Sequence, residues 1–176
     1  MVGNGMGAKN GILFKTAVSL EETGKVQIVA LDKTGTITNG EPVVTDMVPA
    51  EGVTEESLLA LAASLEKRSE HPLAKAILKY VGEQQLIVED VSEFEALPGN
   101  GLTAVRNGVK LAGGNYAFIR TQTEVSEDLL KQSEALAEQG KTPMFFSENG
   151  RLAGIIAVAD TMKEDSRQAV SELRNM

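Results

Sequence analysis

A carboxylate, a cation and a hydroxyl-rich turn stand together in segment 32–38, which reads DKTGTIT. The apolar run at 26–31 precedes it and predicts a buried strand. Parallel strands carry functional residues at their carboxyl ends, which places Asp32 as a nucleophile. Attack on a phosphoryl group would give an aspartyl-phosphate, with Lys33 offsetting charge and Thr34 offering a hydrogen bond. The alternative is a solvated aspartate in a polar turn, and it would be preferred for an isolated Asp-Lys pair.

These seven consecutive residues match the phosphorylation signature of P-type ATPases, and the chain resembles that family of cation pumps within the haloacid dehalogenase-like superfamily. The resemblance implies phosphorylation at Asp32, catalytic roles for Lys33 and Thr34, and Mg²⁺ held at Asp32 and Thr34. Soluble phosphatases of the superfamily usually have a second aspartate where this chain has Thr34. A hydroxyl is a poor general base at neutral pH, so we expect an acyl-phosphate at Asp32 to persist.

Composition narrows the range of functions. The 176 residues carry a net charge of −8, which argues against nucleic acid or anionic membrane as a partner. There is no cysteine and one histidine, which excludes disulfides, catalytic cysteines and zinc-finger sites. No apolar run approaches the ~20 residues of a membrane span, and no stretch resembles a signal peptide.

The remaining pattern predicts an α+β fold. We expect an antiparallel sheet with flanking helices, inserted into an incomplete haloacid dehalogenase-like α/β phosphorylation domain. The predicted domains are 1–42 (first part of the phosphorylation domain), 43–157 (nucleotide-binding domain) and 158–176 (hinge and start of the last part). From its residues alone the glycine-rich segment 1–11 would be a flexible leader, whereas the resemblance to copper-type pumps implies a stretch that follows a transmembrane helix.

Turn-forming and helix-capping residues predict where the individual helices and strands begin and end. Asn-Gly pairs at 107–108 and 149–150 predict two-residue hairpins. Thr54 and Ser126 are predicted helix caps, and Pro72 a first helical residue. The predicted helices are 18–24, 54–67, one from residue 72, one from residue 126 to Gly140, and 160–175; the predicted strands outside 26–31 are 43–48, 90–97, 102–106, 109–112, 144–147 and 152–159.

A second motif lies between two predicted helices, where segment 69–73 reads SEHPL. From the residue types alone, His71 would be a helix cap and Glu66 a solvated helical residue. The motif, however, matches a signature of heavy-metal P-type ATPases. That resemblance implies that His71 helps to orient ATP and that Glu66 contacts adenine.

Two glycine motifs extend the implied site. Gly99 and Gly101 free a turn from side chains, so that backbone can approach a ligand closely. A plain hairpin turn is the alternative for that motif alone. The resemblance implies that Gly99, Gly101 and Leu102 line the nucleotide site and that Gly114 and Asn115 close it. Four basic residues could supply a positive rim, although most such charges are solvated: Lys67, Arg68, Lys75 and Lys141.

The resemblance covers almost the whole chain, and segment 10–15 (NGILFK) favours copper-type pumps. It implies the ATP-binding cytosolic domain of an integral membrane pump, with ATP or ADP and Mg²⁺ as ligands, and with transmembrane and actuator domains as partners. We expect no binding of the transported heavy-metal cation here. Three alternatives stay open: a zinc/cadmium-type pump, a soluble phosphohydrolase, and a non-catalytic interaction domain.

The family's Thr-Gly-Asp and Gly-Asp-Gly-x-Asn-Asp motifs, which serve phosphate and Mg²⁺, do not occur in the sequence. We therefore expect nucleotide binding with little or no hydrolysis from this chain. We also expect the segments beside Asp32 to be poorly ordered or differently packed.

Overall fold

The computed structural model describes residues 2–175 and divides the chain into two compact units, the first ending at residue 32 and the second beginning at residue 33. The first unit holds two short helices, α1 (Val2–Lys9) and α2 (Ala17–Thr23). Thr16 caps α2, because its Oγ1 accepts a hydrogen bond from the Ser19 N–H at 3.1 Å. The helix predicted at 18–24 is confirmed. The interpretation of segment 1–11 as a flexible leader is wrong for residues 2–9, which form α1, and the implied position after a transmembrane helix stays a prediction.

The strand predicted at 26–31 does not form. The segment has no regular structure, and its apolar side chains are exposed, Ile28 to 87%. A strand needs a neighbour to take its backbone hydrogen bonds, and residues 2–32 contain no other strand. The expectation of different packing beside Asp32 is confirmed at this segment.

The second unit is built on a six-stranded antiparallel sheet in the order β1-β6-β5-β4-β3-β2. Helices flank it, so the predicted fold class is confirmed. The strands are β1 (Thr38–Pro49), β2 (Ser92–Leu97), β3 (Gly101–Arg106), β4 (Val109–Gly114), β5 (Thr142–Glu148) and β6 (Arg151–Met162). The helices are α3 (Glu55–Glu66), α4 (Pro72–Glu83), α5 (Tyr116–Ile119), α6 (Glu127–Glu138) and α7 (Ser166–Asn175).

Both Asn-Gly hairpins form as predicted. The turn between β3 and β4 has φ of 52° at Asn107 and 81° at Gly108, and the turn between β5 and β6 has 49° at Asn149 and 72° at Gly150. Two consecutive positive φ values define the type I′ turn, whose twist matches that of the joined strands. Local chemistry therefore fixes the register of four of the six strands.

Helices cover both faces of the sheet. The larger core joins α3 and α4 to one face, with Leu58, Leu65 and Ile77 buried completely. A smaller core joins α5 and α6 to the other face around Ile119 and Phe145. The predicted caps of α3 and α6 are confirmed, because Thr54 and Ser126 each accept from a backbone N–H three residues on.

The two long strands differ from prediction at their outer ends. Strand β1 begins at Thr38 rather than at residue 43, and it pairs Thr38 with Met162 of β6. Residues 160–162 are therefore strand, and α7 begins only at Ser166. The predicted domain boundaries lie inside β1 and β6, and the division into domains stays a prediction. No helix between residues 2 and 175 is long and apolar enough to span a bilayer.

Candidate functional site

A cavity of about 360 Å³ opens beside the end of α3, where the ends of several strands meet. The connection between α3 and α4, the turn from β2 to β3, the end of β4 and the start of β5 all contribute to its wall. The structure brings every residue implied as nucleotide-binding to this wall: Glu66, His71, Gly99, Gly101, Leu102, Gly114 and Asn115.

The wall also contains residues that no motif indicates. Thr142, Pro143 and Met144 reach it from the start of β5. They lie there because β5 pairs with β4 far along the sequence, so only the sheet register could have revealed them.

Glu66 is the last residue of α3, and 2% of its surface is exposed. Burial raises the pKa of its carboxyl group to about 7, and an interaction with Ser69 opposes the rise. Among residues 2–175, no basic nitrogen lies within 4.0 Å of that carboxyl group. The carbonyl end of a helix also disfavours a negative charge. Glu66 is therefore a poorly solvated acid that titrates near neutral pH.

His71 serves α4 as its N-cap. Its Nδ1 accepts a hydrogen bond from the Leu73 N–H at 3.2 Å, and Pro72 occupies the first helical position. Acceptance at Nδ1 requires that the ring proton sit on Nε2. The capping role considered from the residue type is thus present, and it leaves Nε2–H as a donor on a residue of the cavity wall.

The glycines allow two strands and a turn to approach each other. A Cβ at Gly101 would lie 2.1 Å from the Gly113 carbonyl oxygen, so a side chain there would push β3 away from β4. At Gly99, φ is 76° and a Cβ would meet no atom within 4 Å. Gly99 is thus needed for the turn conformation, and it keeps that part of the wall open.

Asn115 holds the glycine turn in place. Its Oδ1 accepts from the Phe118 N–H at 2.9 Å and caps α5, while its Nδ2 donates to the Gly99 carbonyl at 2.9 Å. Both ends of the amide are therefore engaged. The geometry gives Asn115 a positioning role, and the sequence did not indicate the short helix that it caps.

Two of the four candidate rim cations are engaged in ion pairs. Lys67 lies 2.6 Å from Asp90, and Lys141 lies 2.7 Å from Asp46. Each lysine holds the pKa of its acidic partner below the usual range. None of the four cations is part of the cavity wall.

The segment that follows Asp32 forms a tight turn at Lys33–Ile37, with φ of 75° at Gly35. Lys33 and Thr34 are exposed in this turn, and neither lines the cavity. Asp32 is also exposed, at the end of the first unit. Side-chain oxygens of Asp32 and Thr34 are the hard donors that Mg²⁺ prefers.

The turn is held by residues far along the chain. The Asp160 carboxylate accepts from the Thr38 hydroxyl at 2.5 Å and from the Gly40 N–H at 2.9 Å. Lys163 Nζ donates to the Gly35 carbonyl at 2.8 Å. The sequence predicts only a helix start or hinge at 160–163, whereas in the structure Asp160 and Lys163 hold the turn by hydrogen bonds. We call the contacts of Asp160 the Asp160 clasp.

Comparison with known proteins places this arrangement in a family. Residues 26–176 match the model of the haloacid dehalogenase-like hydrolases. The chain belongs to this family. Within it, the whole chain is 44% identical to a copper-exporting P-type ATPase of Staphylococcus saprophyticus and 41% identical to one of Bacillus subtilis. The chain spans 22% of the length of each.

Solved structures of the family agree with the sequence comparison. A zinc-transporting PIB-type ATPase in its E2.Pi state superposes on 98% of this chain with a TM-score of 0.85 and 35% identity, and the match covers 28% of that chain. The N-domain of HMA8, a copper-transporting P-type ATPase, matches 66% of this chain and 99% of its own, with a TM-score of 0.59 and 26% identity. The resemblance to heavy-metal P-type ATPases is confirmed.

Proposed function

We propose that this chain is the ATP-binding cytosolic portion of a cation-translocating P-type ATPase that exports copper(I). The observation that carries the proposal is the single cavity whose wall gathers all seven residues implied as nucleotide ligands. An apolar slot with few polar groups suits a purine base, which needs stacking area and a small number of directed hydrogen bonds. Glu66 and His71 supply those polar groups, and the glycine turn supplies open backbone.

Asp32 is the residue that would accept the γ-phosphoryl group. Its carboxylate would attack phosphorus, and ADP would leave with the bridging oxygen. Lys33 offsets charge beside the acceptor, and Thr34 provides a hydroxyl. Oxygens of Asp32 and Thr34 would hold Mg²⁺, which would supply charge neutralisation for the phosphates. The Asp160 clasp would keep the turn in shape while the nucleotide exchanges.

The rest of the pump would supply the remaining functions. Transmembrane and actuator domains are the expected partners, and the cation would be bound outside this chain. We expect ATP or ADP binding with little or no hydrolysis from the chain alone.

A zinc/cadmium-type pump is the second candidate, and the zinc-transporting structure with a TM-score of 0.85 favours it. Copper is preferred because the copper-exporting relatives are 44% and 41% identical, compared with 35% for that structure. Restoring the chain to its full-length pump and measuring which cation stimulates ATPase activity would separate the two.

The nucleotide site is tested by NMR titration of the chain with ATP and ADP. We expect shifts at segments 69–73, 99–102 and 114–115, and weaker binding in Glu66→Ala and His71→Ala. Glu134→Ala, on the exposed face of α6, is the matched control and is expected to bind as wild type does. Shifts confined to other segments, or equal affinities in all four proteins, would overturn the assignment.

A further inference from the structure

The cavity presents one acid to its occupant. Glu66 is almost fully buried at the carbonyl end of α3, and no cation within residues 2–175 lies within 4.0 Å of its carboxyl group. The adjacent cation, Lys67, is turned to Asp90 at 2.6 Å. No cation among residues 2–175 therefore lies beside the carboxyl group to compensate a negative charge once a ligand displaces the water in the cavity.

Other ionisable groups around the carboxyl group are few. The connection between α3 and α4 contributes Ser69 and His71 to the cavity wall, and Ser69 is the residue whose interaction opposes the pKa rise. The His71 Nδ1 is committed to the Leu73 N–H. Strands β2, β3, β4 and β5 contribute no ionisable side chain to the wall. A ligand that fills the cavity thus meets Glu66 without a counter-ion.

The base of a nucleotide distinguishes the two forms of such an acid. Adenine carries a donor, its amino group, next to an acceptor, a ring nitrogen. A neutral carboxyl group offers the complementary acceptor and donor. An ionised carboxylate only accepts, so it repels the lone pair of that ring nitrogen. The adjacent ring and amino N–H donors of guanine instead suit the ionised form.

Building on the proposed nucleotide site, we infer that Glu66 binds adenine as the neutral acid, accepting from its amino group and donating to the neighbouring ring nitrogen. The proton comes from solvent and stays on Glu66 while the nucleotide is bound. ATP binding is therefore coupled to proton uptake, and the protonation state of one side chain sets the preference for adenine over guanine.

The expected size of the effect follows from the state of the empty cavity. Because burial raises the pKa of Glu66 to about 7, roughly nine-tenths of the empty protein is ionised at pH 8. Each pH unit above about pH 8 should then lower the affinity for ATP about tenfold. Affinity for GTP should not fall over this range, because guanine suits the ionised form, so the ratio of ATP affinity to GTP affinity should decline as pH rises.

Calorimetry at each pH in two buffers of different ionisation enthalpy, phosphate and Tris at pH 8 and acetate and MES at pH 5.5, tests the inference with the full chain. At pH 8 the wild type should take up close to one proton per ATP bound, and at pH 5.5 almost none. Glu66→Gln is the matched variant, because its amide keeps an acceptor and a donor without a titrating proton. It should bind ATP at pH 8 more tightly than wild type and lose most of the pH slope. Titration of the ATP phosphates contributes equally to both proteins and cancels in the comparison.

Three results would overturn the inference. ATP affinity of the wild type could stay flat from pH 6 to pH 9, Glu66→Gln could bind at least tenfold more weakly at every pH, or the slope could disappear in His71→Gln and remain in Glu66→Gln. In each case, NMR chemical-shift changes at 69–73 and 99–102 on addition of nucleotide would still support the proposed nucleotide site. Absence of ATP binding by a folded wild type at every pH would instead remove both proposals.

Discussion

Replacing Glu66 by glutamine is expected to change how the stability of the second unit depends on pH, even without nucleotide. In the folded chain Glu66 is 2% exposed, and its carboxyl group lacks a basic partner among residues 2–175. In the unfolded chain it is solvated. The folded state therefore holds the Glu66 proton more tightly than the unfolded state does, and ionisation acts against folding.

The magnitude follows from the two pKa values. A rise from 4.5 to about 7 corresponds to roughly 3 kcal/mol of unfolding free energy. The contribution is fully present below pH 4.5, because the proton is bound in both states. It declines as pH rises from 4.5 to 7 and is lost above pH 7. Glutamine has no such proton, so its advantage over glutamate should grow by about 3 kcal/mol between pH 4.5 and pH 8.

Urea unfolding followed by circular dichroism measures this difference across pH 5 to pH 8 at constant ionic strength. Thermal unfolding gives a second measurement. For a chain of this size, the thermal midpoints of Glu66→Gln and wild type should differ by roughly 10 °C at pH 8 and by much less at pH 5. Glu134→Gln removes the same charge from an exposed position of α6 and should track the wild type. Parallel curves for Glu66→Gln and wild type would show that the carboxyl group is solvated in the folded chain and would refute the reasoning.

Three further changes test the elements around the cavity and the turn. Asn115→Ala removes the cap of α5 and the hydrogen bond to Gly99, so it should lower the free energy of unfolding in urea by about 1–2 kcal/mol. It should also weaken ATP binding in calorimetry, and an unchanged affinity would contradict the positioning role of Asn115. Gly101→Ala places a Cβ 2.1 Å from the Gly113 carbonyl oxygen and should lower the thermal midpoint far more than Gly99→Ala, whose Cβ meets open space; equal midpoints would contradict the close approach. Asp160→Asn weakens the charge-assisted bonds to Thr38 and Gly40, and it should raise the hydrogen-exchange rate of the Gly40 amide, whereas an unchanged rate would show that the clasp does not protect it.

Features encoded by a few neighbouring residues were predictable from the sequence. The two Asn-Gly hairpins and the caps Thr54 and Ser126 form because backbone conformation and side-chain hydrogen bonds act over two or three residues. Pro72 likewise begins α4 as predicted. In these places the local preference and the tertiary packing agree.

Features that depend on distant partners were not predictable in this way. The run 26–31 has the composition of a buried strand, yet residues 2–32 offer it no other strand. Residues 160–162 carry helix-start chemistry, but pairing with β1 keeps them extended. The raised pKa of Glu66 was not predictable either, because its position at the end of an amphipathic helix does not indicate that the tertiary structure buries it.

The pairing of Thr38 with Met162 has a topological consequence. The chain enters and leaves the sheet on neighbouring strands, whose backbones lie about 5 Å apart at a pair. The intervening segment 39–161 therefore behaves as a cassette whose two ends already meet. Such a cassette can be excised and closed with a short linker, or inserted into a surface loop of an unrelated protein, without stretching either backbone. The same proximity means that a twist applied to this two-stranded ribbon would reorient the cavity carried by segment 39–161.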